Sequence, residues 1–142
     1  MNYVLDAYCG VFCGACLVML ATKTGKLEED KSCFGCKSEK PTRFCKTCRI
    51  KACATSKGFE FCFECSKLTT CDLMQNFIAD KQYPYGLCVS ENLKVIQTKG
   101  LGNWQEMQVK RWRCEYCGEP YSWYQETCTK CGFAVKNYLA DL

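Results

Sequence analysis

Thiols dominate any chemical reading of this chain, which carries 16 cysteines and no histidine in 142 residues. Four of them stand in "CEYCGEPYSWYQETCTKCG", a C-x2-C-x10-C-x2-C pattern with Gly118 and Gly132 directly after the second cysteine of each pair. In a metal knuckle the chain turns tightly round the ion, so backbone N–H groups point at the thiolate sulfurs. The residue after the second cysteine then needs positive φ, which glycine adopts at no cost. Two such knuckles at this separation form a closed tetrahedral site of four thiolates. Cys114, Cys117, Cys128 and Cys131 are therefore expected to bind one ion. The stretch "CFGCKSEKPTRFCKTC" repeats the idea as C-x2-C-x8-C-x2-C through Cys33, Cys36, Cys45 and Cys48, with Pro41 in the connecting loop. Gly35 lies inside its first pair, so this knuckle is less regular.

Eight cysteines remain: Cys9, Cys13, Cys16, Cys53, Cys62, Cys65, Cys71 and Cys88. Eight would make two further quartets. Keeping neighbours together groups Cys9, Cys13 and Cys16 with Cys53, and Cys62, Cys65 and Cys71 with Cys88. Crossed pairings remain open, as does the reading of Cys88 or Cys53 as a buried free thiol. The opening triplet, "CGVFCGAC", has the C-x3-C-x2-C spacing by which radical S-adenosylmethionine enzymes hold a [4Fe–4S] cluster. Such an enzyme needs a barrel of alternating strands and helices. Here one short helix follows and then more cysteines, with no strand–helix repeat. That reading fails.

Metal ligation is preferred to disulfides on compartment and core. No cleavable secretory signal is legible, because the apolar run from Cys16 to Ala21 is short, follows Asp6 and has no Lys or Arg before Lys23. No segment approaches the length of a membrane span. A cytoplasmic chain keeps its thiols reduced, and paired cysteines then read as ligands. Leu, Ile, Val and Phe together number 29 of 142 residues, near the level at which a chain cannot pack a core unaided. A structural zinc site contributes roughly 10–16 kcal/mol of apparent binding free energy, enough to fold such a chain. Up to four zinc ions are expected, with iron or an iron–sulfur cluster as the alternative at some sites, since thiolates suit both.

The formal charge of +4 points to nucleic acid only superficially. Four thiolates round a divalent ion carry −2, so four sites would turn the balance to −4. The basic bias that remains lies in 81–113, with six Lys or Arg against two acids, and reads first as a solvated helical face. A protein partner is expected ahead of nucleic acid, and no membrane.

The positioning elements follow from periodicity. "LVMLATKTG" reads as a short buried helix closed at Gly25. "CDLMQNFIADKQYP" sets Leu73, Met74, Phe77 and Ile78 on one helical face before Pro84. "SENLKVIQTKG" reads as a helix with Ser90 as N-cap and Gly100 at its end. "NWQEMQVKRW" fits either another helix or the incoming strand of the ribbon. "GFEFCFEC" alternates Phe59, Phe61 and Phe63 against polar residues, which is strand periodicity, with the aromatics expected in the core. Tyr121, Trp123 and Tyr124 offer a partner surface on the ribbon, but covering the ribbon's own small core is the preferred expectation. The whole predicts a small metal-stabilised α+β fold: a cysteine-rich multi-metal domain over 1–80, a helical connector over 81–113, and a ribbon over 114–142.

The C-terminal module resembles a zinc ribbon and also the rubredoxin-like module of rubrerythrins, where two knuckles hold iron. Rubrerythrin's di-iron chemistry needs histidines that this chain lacks. Over nearly the whole chain, the order "YCGVFCGAC", "CFGC", "FCKTCRIKACATSKGFEFCFEC" resembles small cysteine-rich bacterial and archaeal proteins catalogued as a domain of unknown function and often labelled as zinc-binding. "YPYGLCVSENLKVIQTKGLGNWQEMQVKRWRCEYCG" is similar to the longer members, which end in a ribbon. The resemblance implies metal binding and supplies no activity. "CSKLTTC" departs from it where a proline is expected.

Overall fold

A computed structural model describes residues 2–142. Six helices carry the fold: α1 (Leu17–Lys23), α2 (Arg43–Lys46), α3 (Arg49–Ser56), α4 (Asp72–Ala79), α5 (Val89–Lys99) and α6 (Leu101–Arg111). Short 3-10 turns precede or link them, among them Cys13–Ala15, Cys62–Glu64 and Pro84–Cys88. No strand forms among the described residues; three isolated bridges, Asp6↔Phe12, Arg113↔Pro120 and Thr127↔Ala134, are the whole of the β pairing there. The β component of the expected α+β fold thus reduces to bridges, and the molecule is helix-dominated. No described helix is long and apolar enough to cross a membrane.

Cysteines set where the helices begin. Cys16, Cys48, Cys71 and Cys88 are the residues immediately before α1, α3, α4 and α5. The free N–H groups of a first turn favour negative charge nearby. Of the face Leu73, Met74, Phe77 and Ile78 read from periodicity, Met74 is buried and Phe77 and Ile78 pack on the core, whereas Leu73 lines a surface cleft with Ile50 and Cys53. Ser90 does not cap α5. The 3-10 turn Pro84–Cys88 runs straight into it, so Ser90 lies inside the helix and Cys88 precedes it. The stretch 101–111 is helical rather than an incoming strand.

"GFEFCFEC" is not a strand. The Glu64 carboxylate accepts the N–H groups of Glu60 and Phe61 at 2.7 and 2.8 Å. Those are the donors a strand would offer to a neighbour, and the chain folds into the Cys62–Glu64 turn instead. Phe61 and Phe63 then stack on each other, 5.4 Å apart and 10° from parallel, with Phe61 buried as expected.

The core lies between α5, α6 and the N-terminal loop. Val89, Leu93 and Ile96 of α5 and Trp104 of α6 are buried, and Phe12 meets Trp104 edge-on at 5.7 Å. Asn92 is buried with them; its Nδ2 donates to the Gly10 carbonyl at 2.9 Å and to Tyr85 Oη at 3.0 Å. This satisfies a polar group that would otherwise cost about 1–3 kcal/mol. Tyr121 and Trp123 do not serve the C-terminal module alone. Trp123 stacks flat on Tyr85 at 4.3 Å, and Tyr121 meets Trp112, which in turn meets Tyr85. Such aromatic pairs contribute about 0.5–1.5 kcal/mol each beyond their burial.

Candidate metal centres

The C-terminal cysteines converge. The sulfurs of Cys114, Cys117, Cys128 and Cys131 all lie within 4.8 Å of one another, with Cys114···Cys131 at 3.6 Å and Cys117···Cys128 at 3.5 Å. A tetrahedron with metal–sulfur bonds of about 2.3 Å has edges of about 3.8 Å. The four thiols therefore fit one soft ion, zinc or iron alike.

The two halves of this site are built on the same plan. Cys114 N–H donates to the Glu119 carbonyl at 2.9 Å and Gly118 N–H to the Cys114 carbonyl at 2.9 Å. Cys128 N–H donates to Phe133 at 2.8 Å, and Gly132 N–H to Cys128 at 3.0 Å. Gly118 and Gly132 have φ of 77° and 79°, as the knuckle reading requires. The turns aim N–H groups at sulfur. Those of Cys117 and Tyr116 hold the Cys114 thiol below its ordinary value, and those of Cys131 and Lys130 bring Cys128 down to about 6. Cys117 and Cys131 move the other way: for Cys131 the Phe133 N–H pulls downward, but burial and the Cys114 and Cys128 sulfurs push it up to about 12, so two of the four thiols are poised as thiolates.

Seven more cysteines ring one cavity of about 280 Å³: Cys9, Cys13 and Cys16 from the N-terminal loop, and Cys33, Cys36, Cys45 and Cys48 from the second knuckle region. Its walls are apolar, with Val11, Phe44, Phe77, Tyr83 and Trp123 among them. Gly35 N–H donates to the Cys33 sulfur at 3.3 Å, a knuckle contact inside the pair. Burial pushes the Cys36 thiol up to about 11, with Cys45 adding to it, and burial also raises Cys16 and Cys45. Tyr83 is raised too, by burial first and then by Cys16 and Cys9. These sulfurs stand further apart than the C-terminal four, the only group among the described residues with three or more within 4.8 Å.

Cys53, Cys62, Cys65 and Cys71 line a separate apolar cleft of about 180 Å³ with Ile50 and Met74. Burial pushes Cys62 up to about 12, with the neighbouring Cys71, Cys53 and Cys65 adding to it. The structure thus groups Cys53 with Cys62, Cys65 and Cys71, where neighbour-keeping in the sequence groups it with Cys9, Cys13 and Cys16. α3 and α4 pack together and bring Cys53 across to Cys71. Cys88 stands apart from both groups, buried near Arg111 and Asp141, and burial pushes its thiol up to about 11.

Residues 5–76, just over half of the chain, match the family described as Protein of unknown function (DUF3795). The chain belongs to this family. No curated protein and no solved structure matches it. The family segment supplies every cysteine of both the cavity and the cleft. Cys88 and the C-terminal knuckles lie outside it, yet Trp123, nine residues after Cys114, reaches back to the cavity wall.

Sequence reasoning missed two residues that shape these sites. Lys37 is buried beneath the N-terminal loop, 2.8 Å from Asp6 and 3.8 Å above the Phe61 ring. Lys51 donates from Nζ to the Cys36 carbonyl, and its charge draws the Cys36 and Cys45 thiols downward against burial. Both look like ordinary surface lysines in sequence.

Proposed function

We propose that this protein is a multi-zinc module that holds its own short helices in place by thiolate coordination and acts as a structural and interaction platform. The observation that carries the reading is the convergence of the Cys114, Cys117, Cys128 and Cys131 sulfurs, with backbone N–H groups turned toward them. Closed four-thiolate sites leave no open position for a substrate, which favours structure over hydrolysis. On this reading the C-terminal module is a zinc ribbon, and the cavity and cleft of the family segment hold the other ions. The metal ties together segments whose apolar content is low, the usual role of staples in small scaffolds.

The interaction face lies on the ribbon. Tyr116 and Phe133 stack at 4.2 Å from opposite knuckles and remain 67% and 53% exposed. Lys110, Arg113 and Lys136 line the cleft beside Tyr116 and outnumber its acids, Glu115 and the Arg111-paired Asp141. An acidic protein segment bearing an apolar side chain matches that face in charge and shape. Nucleic acid is the competing occupant, and its binding would fall steeply with salt.

Protein expressed without oxygen distinguishes the metals. About four zinc per chain and no colour support this reading. Iron with acid-labile sulfide and a broad brown absorbance would overturn it in favour of electron transfer. Iron without sulfide, confined to the C-terminal site, would make that module rubredoxin-like.

A further inference from the structure

Between Glu39 and Glu60 the chain carries six Lys or Arg and no acid. Two of the six are engaged: Lys40 pairs with Glu29 at 3.1 Å, and Lys51 Nζ donates to the Cys36 carbonyl. Arg43, Lys46, Arg49 and Lys57 are exposed, and among the described residues none of them forms an ion pair. Exposed positions recur every third residue through 43, 46, 49 and 52, so the first three cations follow one another from α2 into the start of α3. Lys57 caps the far end of α3, about 12 Å from Arg49 along the helix axis.

This placement works against the helices themselves. Arg43 and Arg49 are the first residues of α2 and α3, where the free N–H groups are already positive, and neither helix has an acid in its first turn. Arg43 and Lys46 are like charges three positions apart on one helix. Cys45 and Cys48 line the cavity, and no carboxylate of the chain answers the cations on the outer side. Phe44 stands in the middle of the array. Although it borders the cavity, it is 72% exposed, the most open of the large apolar side chains. The exposed rings Tyr116 and Phe133 stack on each other, whereas Phe44 stacks on no ring among the described residues.

We propose that α2 and α3 present a binding surface for single-stranded nucleic acid, with Arg43, Lys46, Arg49 and Lys57 on its phosphates and Phe44 against the face of a base. The proposal goes beyond the metal reading and uses residues other than those of the ribbon face. A row of cations with one open ring suits a flexible strand, because every nucleotide brings a charge and every base a π face. A duplex keeps its bases stacked on one another and leaves Phe44 without a partner. The neighbouring hydroxyls of Thr47, Thr55 and Ser56 donate to carbonyls three or four residues back rather than outward. The surface therefore grips the backbone and tolerates any sequence. A bilayer is a poorer match, since the apolar residues of α3, Ile50 and Ala54, are buried and leave no stripe to enter it.

The test is fluorescence anisotropy of the metal-loaded full chain with labelled oligo(dT) and oligo(U) over a series of salt concentrations. Binding is expected at low salt, with log K falling against log salt at a slope of about −3, or about −0.7 for each of four contacts. Arg43→Gln/Lys46→Gln/Arg49→Gln should weaken binding about tenfold or more and bring the slope close to about −1. Phe44→Ala should also weaken it about tenfold or more, yet leave the slope unchanged. Unaltered circular dichroism and metal content would report that these surface variants are folded. Binding of either oligonucleotide with these dependences supports the proposal, and the tighter of the two names the strand as DNA or RNA. No binding at low salt would overturn it, as would native affinity in the triple variant. Loss confined to Lys110→Gln/Lys136→Gln would overturn it in favour of the ribbon cleft. Binding to phosphatidylserine vesicles and to no oligonucleotide would overturn it in favour of a membrane. Zinc-loaded protein that binds no strand overturns this surface alone, and iron-bearing protein that binds one overturns the metal reading alone.

Discussion

Two glycines separate the cost of backbone strain from the cost of crowding. Gly118 has φ of 77° with open space round it, so Gly118→Ala meets only the left-handed penalty of about 1–2 kcal/mol. Gly35 has φ of 120° and lies against the Val4 carbonyl, so an added Cβ would run into backbone that cannot yield. Gly35→Ala should lower the thermal midpoint of the metal-loaded protein by more than Gly118→Ala does, and should weaken the 2.8 Å hydrogen bond from Val4 N–H to the Phe34 carbonyl. Equal losses would remove the crowding argument. Lys37 gives a second residue-level test. Its ammonium and the Asp6 carboxylate are about 10% and 9% exposed, and Asp6 also accepts from Gln105 Nε2 at 3.1 Å. Lys37→Met strands a buried carboxylate and should cost about 3–5 kcal/mol in chemical denaturation, most of it recovered in Asp6→Asn/Lys37→Met. The regular knuckle glycines were legible in sequence because their offset from cysteine is fixed. The Lys37–Asp6 pair was not, because it joins positions far apart in the chain through a loop whose path no periodicity encodes.

At the scale of elements, helices follow thiols: α1, α3, α4 and α5 each start directly after a cysteine. The amphipathic pattern of α4 and the stop at Gly100 could be read because they are local. The Phe59–Phe63 alternation misled because Glu64 claims the backbone donors on which a strand depends. The role of Trp123 could not be read at all, since its partner Tyr85 lies in a different part of the chain. Trp123→Ala removes that stack and should lower stability by about 3–5 kcal/mol, the usual range for a buried aromatic. The ion at Cys114, Cys117, Cys128 and Cys131 should survive it, because Trp123 lies outside those knuckles. Tryptophan fluorescence with metal analysis would check both halves of that expectation.

For the whole molecule, the positions of the cysteines were legible and their partnerships only in part. C-x2-C spacing identifies a knuckle, but which knuckles face one another is decided by packing: α3 against α4 for Cys53, the N-terminal loop against residues 33–36 for the cavity. Chelation of the metal-loaded chain should therefore abolish most helical circular dichroism together with the near-ultraviolet signal of the Tyr85–Trp123 stack. A retained near-ultraviolet signal would show that the core at α5 and α6 stands without ions. Acid should act in the same direction as chelator. The Cys128 thiol, held at about 6 in the fold against an ordinary 9.0, contributes stability that is fully present above 9.0 and is lost as pH falls through about 6. Metal release followed against pH should therefore rise on acidification, because protons compete with the ion for the thiolates.

The wall that Trp123 lends to the cavity has a consequence in time. During synthesis, all seven cysteines of the ring, from Cys9 to Cys48, leave the ribosome well before Trp123 does. On the proposed multi-metal reading, an ion would find its ligands before that side of the wall is made, and exchange at the cavity should be faster in Trp123→Ala than in the native chain.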